Sequence, residues 1–148
     1  MADIKDSILD CVGGTPLIRL HRVFRKEGVE ILAKHEGLNP GGSVKERIAV
    51  AMIEGAERDG LLKPGMTLVE SSSGNTGVGL AMAAAVKGYA CIITMSRKVS
   101  VERRQMVKAF GAELVLVDGG SDEAWDRADA IAAADAGKCF RVHQYRMK

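Results

Sequence analysis

Glu70-Ser71-Ser72-Ser73-Gly74-Asn75-Thr76-Gly77-Val78-Gly79 follows the apolar run Met66-Thr67-Leu68-Val69 and precedes a helix-like run from Leu80 to Val86. It therefore lies at a strand-to-helix turn. Its hydroxyls, its amide and its three glycines are too polar and too flexible for a core, and they are dense in hydrogen-bond donors. A helix N-terminus adds free N–H groups and the positive end of a dipole. The stretch thus reads as a carboxylate or phosphate cradle. An ordinary capped turn is the competing reading, since Ser, Asn and Gly are what such turns require.

Outward from this turn the chain alternates. Ala90-Cys91-Ile92-Ile93-Thr94-Met95 is a continuous apolar run of strand length, as strands buried on both faces show. Ser100 caps a helix through Glu102, Met106, Val107 and Phe110 to Gly111, and Glu113-Leu114-Val115-Leu116-Val117 is the next strand. Ser121-Asp122 caps a helix to about Ala136, and Phe140-Arg141-Val142-His143 opens a further strand. Alternation from about Met66 onward predicts an α/β fold, a parallel sheet with helices on both faces joined by right-handed crossovers. Ligands bind at the carboxyl ends of such strands, which is where the Ser71–Gly79 turn falls.

Toward the N-terminus, Ser7 to Leu20 reads as a short helix, a Gly-Gly-Thr-Pro turn and a short strand, and Ile31-Leu32-Ala33-Lys34 as another strand. After Asn39-Pro40-Gly41-Gly42, Ser43 is placed to cap a helix whose inward face carries Val44, Ile48, Ala51, Met52 and Ala56.

The chain has 148 residues, 47% of them apolar, and a net charge of +2. That suits one domain with a real core. One Trp, two Tyr and three Phe offer no base-stacking platform, and no basic block marks a nucleic-acid footprint. A small-molecule partner is favoured over nucleic acid or a membrane. The start Met1-Ala2-Asp3-Ile4-Lys5-Asp6 has no signal-peptide pattern and no run reaches membrane-spanning length, so the expected location is the cytoplasm. Cys11, Cys91 and Cys139 fit neither a disulfide framework nor a CxxC metal site, and His21, His35 and His143 lack ligand spacing. No metal is expected. Trp125, among charges on a predicted helix, reads as the edge of an apolar face.

Known phosphate fingerprints are missing. Gly77-Val78-Gly79-Leu80-Ala81-Met82 lacks the third glycine of a dinucleotide motif, Arg97 and Lys98 stand where that motif needs an acid, and no Walker A loop is present. Lys45 is the other candidate. It falls in the first turn of a predicted helix behind a Gly-rich approach, where the dipole and burial both disfavour its charged form, as a Schiff-base lysine requires. An ordinary solvated lysine is the bland alternative.

Asn39 to Arg47 together with Ser72-Ser73-Gly74-Asn75-Thr76-Gly77 resembles the signature pair of the cysteine synthase (O-acetylserine sulfhydrylase) and cystathionine β-synthase family of pyridoxal phosphate enzymes, of fold type II. Val12-Gly13-Gly14-Thr15-Pro16-Leu17, Ser100-Val101-Glu102-Arg103-Arg104, Lys108 to Leu114 and Gln144-Tyr145 are similar to further motifs of that family, in the same order. The resemblance implies that Lys45 binds pyridoxal 5'-phosphate covalently and acts as the base on the substrate's α-carbon. It implies that Asn75 bonds the ring oxygen, and that Ser72, Ser73, Gly74, Thr76 and Gln144 grip the substrate carboxylate. The implied reaction is β-replacement through an aminoacrylate, giving L-cysteine from O-acetylserine or O-phosphoserine and sulfide. Cystathionine formation and serine or threonine dehydration remain alternatives within the family, and a non-catalytic anion- or nucleotide-binding module remains one outside it. A homodimer is also implied.

Several departures stand out. Ser72 replaces a more usual threonine, Ser71 a proline, Gly14 an asparagine, and Ser96-Arg97-Lys98 differs from the family's acidic, proline-containing loop. Family members run to about twice this length. By the resemblance, residues 1–42 are an arm that joins a large domain and residues 43–148 are the small α/β domain, while the large domain's C-terminal half is absent from the chain. That half carries the loop for the cofactor phosphate and the hydroxyl that faces the pyridine nitrogen. The chain is then either a piece of a full enzyme or a free-standing domain that assists assembly.

Overall fold

A computed structural model describes residues 3–144. After a 3-10 turn at Ile8–Cys11, the elements are β1 (Leu17–Arg19), β2 (Leu32–Lys34), a second 3-10 turn (Glu36–Leu38), α1 (Lys45–Arg58), β3 (Thr67–Ser71), α2 (Asn75–Lys87), β4 (Ala90–Ser96), α3 (Val101–Ala109), β5 (Glu113–Val117), α4 (Ser121–Ala134) and β6 (Cys139–Arg141). β1 and β2 pair antiparallel, and the other four strands form one parallel sheet in the order β5-β4-β3-β6. The expected α/β alternation is present.

Helices cover both faces. On one side α2 packs on β3 and β4, backed by α1, with α3 beside it on β5; on the other α4 crosses β5, β4, β3 and β6. The larger core lies on the α2 side, around Leu68, Leu80, Ile93 and Met95. A smaller one lies under α4, around Val69, Ala128 and Ala132. Leu80 and Ile93 are fully buried, and burying a side chain of that size contributes roughly 1.5–3 kcal/mol. Because successive strands step away from β3 in one direction and β6 returns to its other side, the strand order reverses beside β3. Such a reversal opens a crevice at the strand's carboxyl end.

Element boundaries differ from the sequence reading chiefly at α2. The helix begins at Asn75 instead of near Leu80, so Gly77 and Gly79 are helical and do not provide turn flexibility. Their smallness serves packing. A Cβ on Gly79 would meet Ala49 Cβ at 3.1 Å, and both Glu46 Cα and the Lys45 carbonyl at 3.3 Å. α1 and α2 therefore approach at backbone distance. Ser43 is not the formal cap of α1, a place taken by Val44, yet its Oγ accepts the Lys45 N–H at 3.0 Å. Ser121 is the first helical residue of α4 and Gly120 its cap.

The N-terminal arm is tied to α1 by polar groups. Arg47 donates through Nε and Nη2 to both oxygens of Glu36, at 2.7 and 2.8 Å, and through Nη2 to the Gly13 carbonyl at 2.8 Å. Thr15 Oγ1 also donates to Glu36, and the Gly13 N–H donates to Asn39 Oδ1. Gly13 has φ +89°, and a Cβ there would lie 2.7 Å from Arg47 Nη1, so both backbone and space call for glycine. Hydrogen bonding from Arg47 holds the Glu36 carboxyl well below the usual range, at about 2. A depressed carboxylate adds stability above its unfolded-state pKa, and that stability is lost as pH falls toward the folded-state value. Glu36→Gln should therefore flatten the acid limb of the stability curve between about pH 4.5 and 2 by one bound proton, read by urea titration across pH. Equal slopes for the two proteins would contradict the assignment.

Candidate functional site

At the carboxyl end of β3 a cavity of about 470 Å³ opens, lined by Lys45, Ser71 to Thr76, Trp125 and Gln144 among others. That volume lies within the usual range for small-molecule sites. Three helix starts and three strand ends meet there: α1 brings Lys45, α2 brings Asn75 and Thr76, α4 brings Ser121 and Trp125, β3 brings Ser71, β4 brings Met95 and Ser96, and the exit of β6 brings Gln144. Every residue that the sequence marked for cofactor or carboxylate (Lys45, Ser72, Ser73, Gly74, Asn75, Thr76 and Gln144) lines this one cavity.

Lys45 is placed by a chain of polar contacts. Asn39 Nδ2 donates to the Ser43 carbonyl at 2.8 Å, and Ser43 Oγ takes the Lys45 N–H and donates to the fully buried Glu46. The amine itself has no hydrogen bond or ion pair among the described residues. Its side chain is exposed, so this chain does not supply the burial expected for it.

The anion cradle is shorter than the sequence suggests. Ser71 closes β3, Ser72 to Gly74 form the connection, and α2 begins at once. Ser72 Oγ accepts the Gly77 N–H at 2.9 Å and thereby acts as a side-chain cap of α2. The backbone N–H groups of Asn75 and Thr76, at the first two helical positions, have no acceptor within the helix. Those donors and the dipole face the cavity, a ready place for a carboxylate. The Asn75 and Thr76 side chains make no hydrogen bond among the described residues. Ser73 is exposed, and its carbonyl accepts from Arg103 at 3.2 Å. Gln144 spends its Nε2 on the Ser71 carbonyl at 3.0 Å and its backbone N–H on Glu70 at 3.1 Å. Tyr145, which completes its motif, lies outside the described residues.

Trp125 is the cavity residue that the sequence reading left as structure. Its ring lies 4.5 Å from the Arg141 guanidinium carbon and 5.8 Å from His143, and it faces the cavity beside Ser121, Asp122 and Met95. A usable signal existed: α4 follows β5 in the same parallel alternation, so its N-terminal residues return to the edge of the sheet that carries the cradle. Arg97 pairs with Asp118 on an exposed loop. Burial first, and the Glu70 carboxylate second, push the Cys91 thiol up to about 12, so it is a neutral packing group. Among the described residues no His, Cys, Asp and Glu cluster suits a metal, and no helix is long and apolar enough to cross a membrane.

A covalent cofactor with an aldehyde and a polar ring fits this donor set: one unpaired amine, one free amide and a hydroxyl-rich helix start share one hollow. A model of a family described as pyridoxal-phosphate dependent enzymes matches residues 8–147. A cysteine synthase of Staphylococcus aureus is 54% identical over 114 residues, 77% of this chain and 37% of that protein. Cystathionine beta-synthase of Rattus norvegicus is also 54% identical over 114 residues, 76% of this chain and 20% of that protein. The crystal structure of a cysteine synthase from Entamoeba histolytica superposes with TM-score 0.90 at 44% identity, over 94% of this chain and 43% of that one. The chain thus spans less than half the length of each.

Removing the Ser72 hydroxyl tests the capping role with no ligand present. Ser72→Ala should cost about 1 kcal/mol of stability in urea unfolding, while Ser73→Ala should leave the midpoint within error. Equal midpoints for Ser72→Ala and the parent would remove the cap.

Proposed function

The chain belongs to the pyridoxal-phosphate dependent enzyme family, and from that premise we propose that it carries the amine and the carboxylate grip of a cysteine-forming β-replacement enzyme. The donor is O-acetylserine or O-phosphoserine and the acceptor is sulfide. The observation that carries the reading is the convergence of Lys45, Asn75 and the Ser72–Thr76 helix start on one cavity. In this proposal residues 43–148 act as the small domain and residues 1–42 as an arm against a large domain, in a cytoplasmic homodimer.

Bound pyridoxal phosphate supplies the aldehyde that captures an amine and the ring that draws electrons from the substrate's α-carbon. Lys45 Nζ would hold that aldehyde and, as a free amine beside a bound amino acid, would accept the proton from the α-carbon. The Asn75 amide would hold the ring oxygen. The Asn75 and Thr76 N–H groups, with the Ser73 and Thr76 hydroxyls, hold the substrate carboxylate and so turn the α-C–H bond toward Lys45. Such fixed orientation accounts for a large part of the rate gain in reactions of this kind. Ser72 acts mainly by keeping the helix start in shape, and Gln144 by holding the opposite wall.

The test is chemical. After incubation with pyridoxal phosphate and reduction with borohydride, one adduct should map by peptide mass to Lys45 and be lost in Lys45→Ala. Reduced adducts spread over other lysines, or none at all, would remove the reading. Assays pairing O-acetylserine, O-phosphoserine or serine with sulfide or homocysteine then separate cysteine from cystathionine formation.

A further inference from the structure

Behind the cavity wall lies a charged group that the proposed chemistry does not use. Glu70, 1% exposed, is the residue before Ser71. Its Oε1 accepts the Ser71 N–H at 2.7 Å and a hydrogen bond from Arg141 Nη1, and its Oε2 accepts the Gln144 N–H at 3.1 Å. One carboxylate thus ties the end of β3 to the exit of β6, the two walls that bear Ser71 and Gln144. Gln144 Nε2 closes the ring by donating to the Ser71 carbonyl.

Arg141, 8% exposed, is fixed on three sides. Nη1 pairs with Glu70, Nε donates to Asp129 at 2.7 Å, and the Trp125 ring covers the guanidinium at 4.5 Å. His143, next but one, has φ +56°, a left-handed conformation unusual for a side chain of its size, and its ring packs on Trp125 at 5.8 Å. That bend turns the Gln144 N–H toward Glu70. A buried carboxylate this close to a site for an anionic substrate would repel it unless a cation were held alongside. A buried ion pair of this kind adds little stability over an apolar pair, but removing one partner leaves an uncompensated buried charge.

We propose that Arg141 is a positioning residue: by neutralising Glu70 it sets Ser71 and Gln144 at the cavity wall and keeps the wall attractive to the amino-acid carboxylate. This rests on the reading of the cavity as an amino-acid site. Neither Glu70 nor Arg141 lines the cavity, so both act through their neighbours. The apolar variant Arg141→Met leaves Glu70 buried with no counter-charge; Glu70→Gln/Arg141→Met removes both charges.

Two measurements on the full chain test this. In amide hydrogen exchange, Arg141→Met should speed exchange at Ser71 and Gln144 at least about tenfold while leaving Ile93 and Leu114 in the sheet unchanged. In turnover of O-acetylserine with sulfide, it should raise KM about tenfold with kcat within about twofold, and the double variant should recover most of the loss. Asp129→Asn, which loosens Arg141 from the solvent side without baring a buried charge, should move both readouts the same way by less. It serves as the second variant if Arg141→Met does not fold. Unchanged exchange at Ser71 and Gln144 in either folded variant, or a double variant worse than Arg141→Met, overturns the proposal. Absence of turnover in the parent protein would count against the cysteine-forming function, and the exchange comparison would still decide the role of Arg141.

Discussion

The backbone contact at Gly79 is the constraint on which the site depends. Because Gly79 has no side chain, α2 lies against the first turn of α1, at the Lys45 carbonyl and Glu46 Cα. Both helices then start at the same end of the sheet. A side chain there would push the helix carrying the amine away from the helix carrying the cradle. Ser43, Asn39 and the buried Glu46 complete the placement from the α1 side, as Ser72 does from the α2 side. The Lys45 amine and the start of α2 are thus positioned by packing that belongs to the core.

Charge is arranged around the cavity with the same economy. The cradle itself carries no ionised side chain, only helix N–H groups, hydroxyls and an amide. Of the acids close to it, Glu46 accepts from the Ser43 hydroxyl and Glu70 is held by Arg141 together with two backbone N–H groups, while Asp122 at the start of α4 lines the cavity without such a partner among the described residues. Farther out, Glu36 and Arg47 join the arm to α1 just beyond the lysine. The start of α2 therefore presents donors to the hollow, with the buried Glu70 already paired behind its wall.

Much of this was legible in the residues, for physical reasons. Apolar runs such as Ala90–Met95 and Glu113–Val117 have the length and continuity that only a doubly covered parallel strand needs, and both are strands. Polar, glycine-rich residues after a strand marked the turn into α2, because such a run suits a strand-to-helix connection and not a core, and the cavity opens there. The role of the glycines was misread: at Gly77 and Gly79 smallness meets close helix and strand neighbours, a tertiary fact with no local signature. Trp125 was missed because the signal for it is topological and not local: α4 follows β5 in the parallel alternation, which returns its first residues to the end of the sheet that holds the cavity. The burial expected for Lys45 was a property of the surroundings and is not supplied by this chain, where the side chain is exposed.

The central claim is spatial: one hollow, with the Lys45 amine on one side and the start of α2 on the other. A crystal structure of the protein after loading with pyridoxal phosphate and borohydride reduction measures it directly. The account predicts continuous electron density from Lys45 Nζ into the hollow, with the ring oxygen beside Asn75 and the Ser72–Thr76 turn open to a carboxylate. Density that joins the ring to a different lysine, or that carries it from Lys45 out of the hollow, would contradict it.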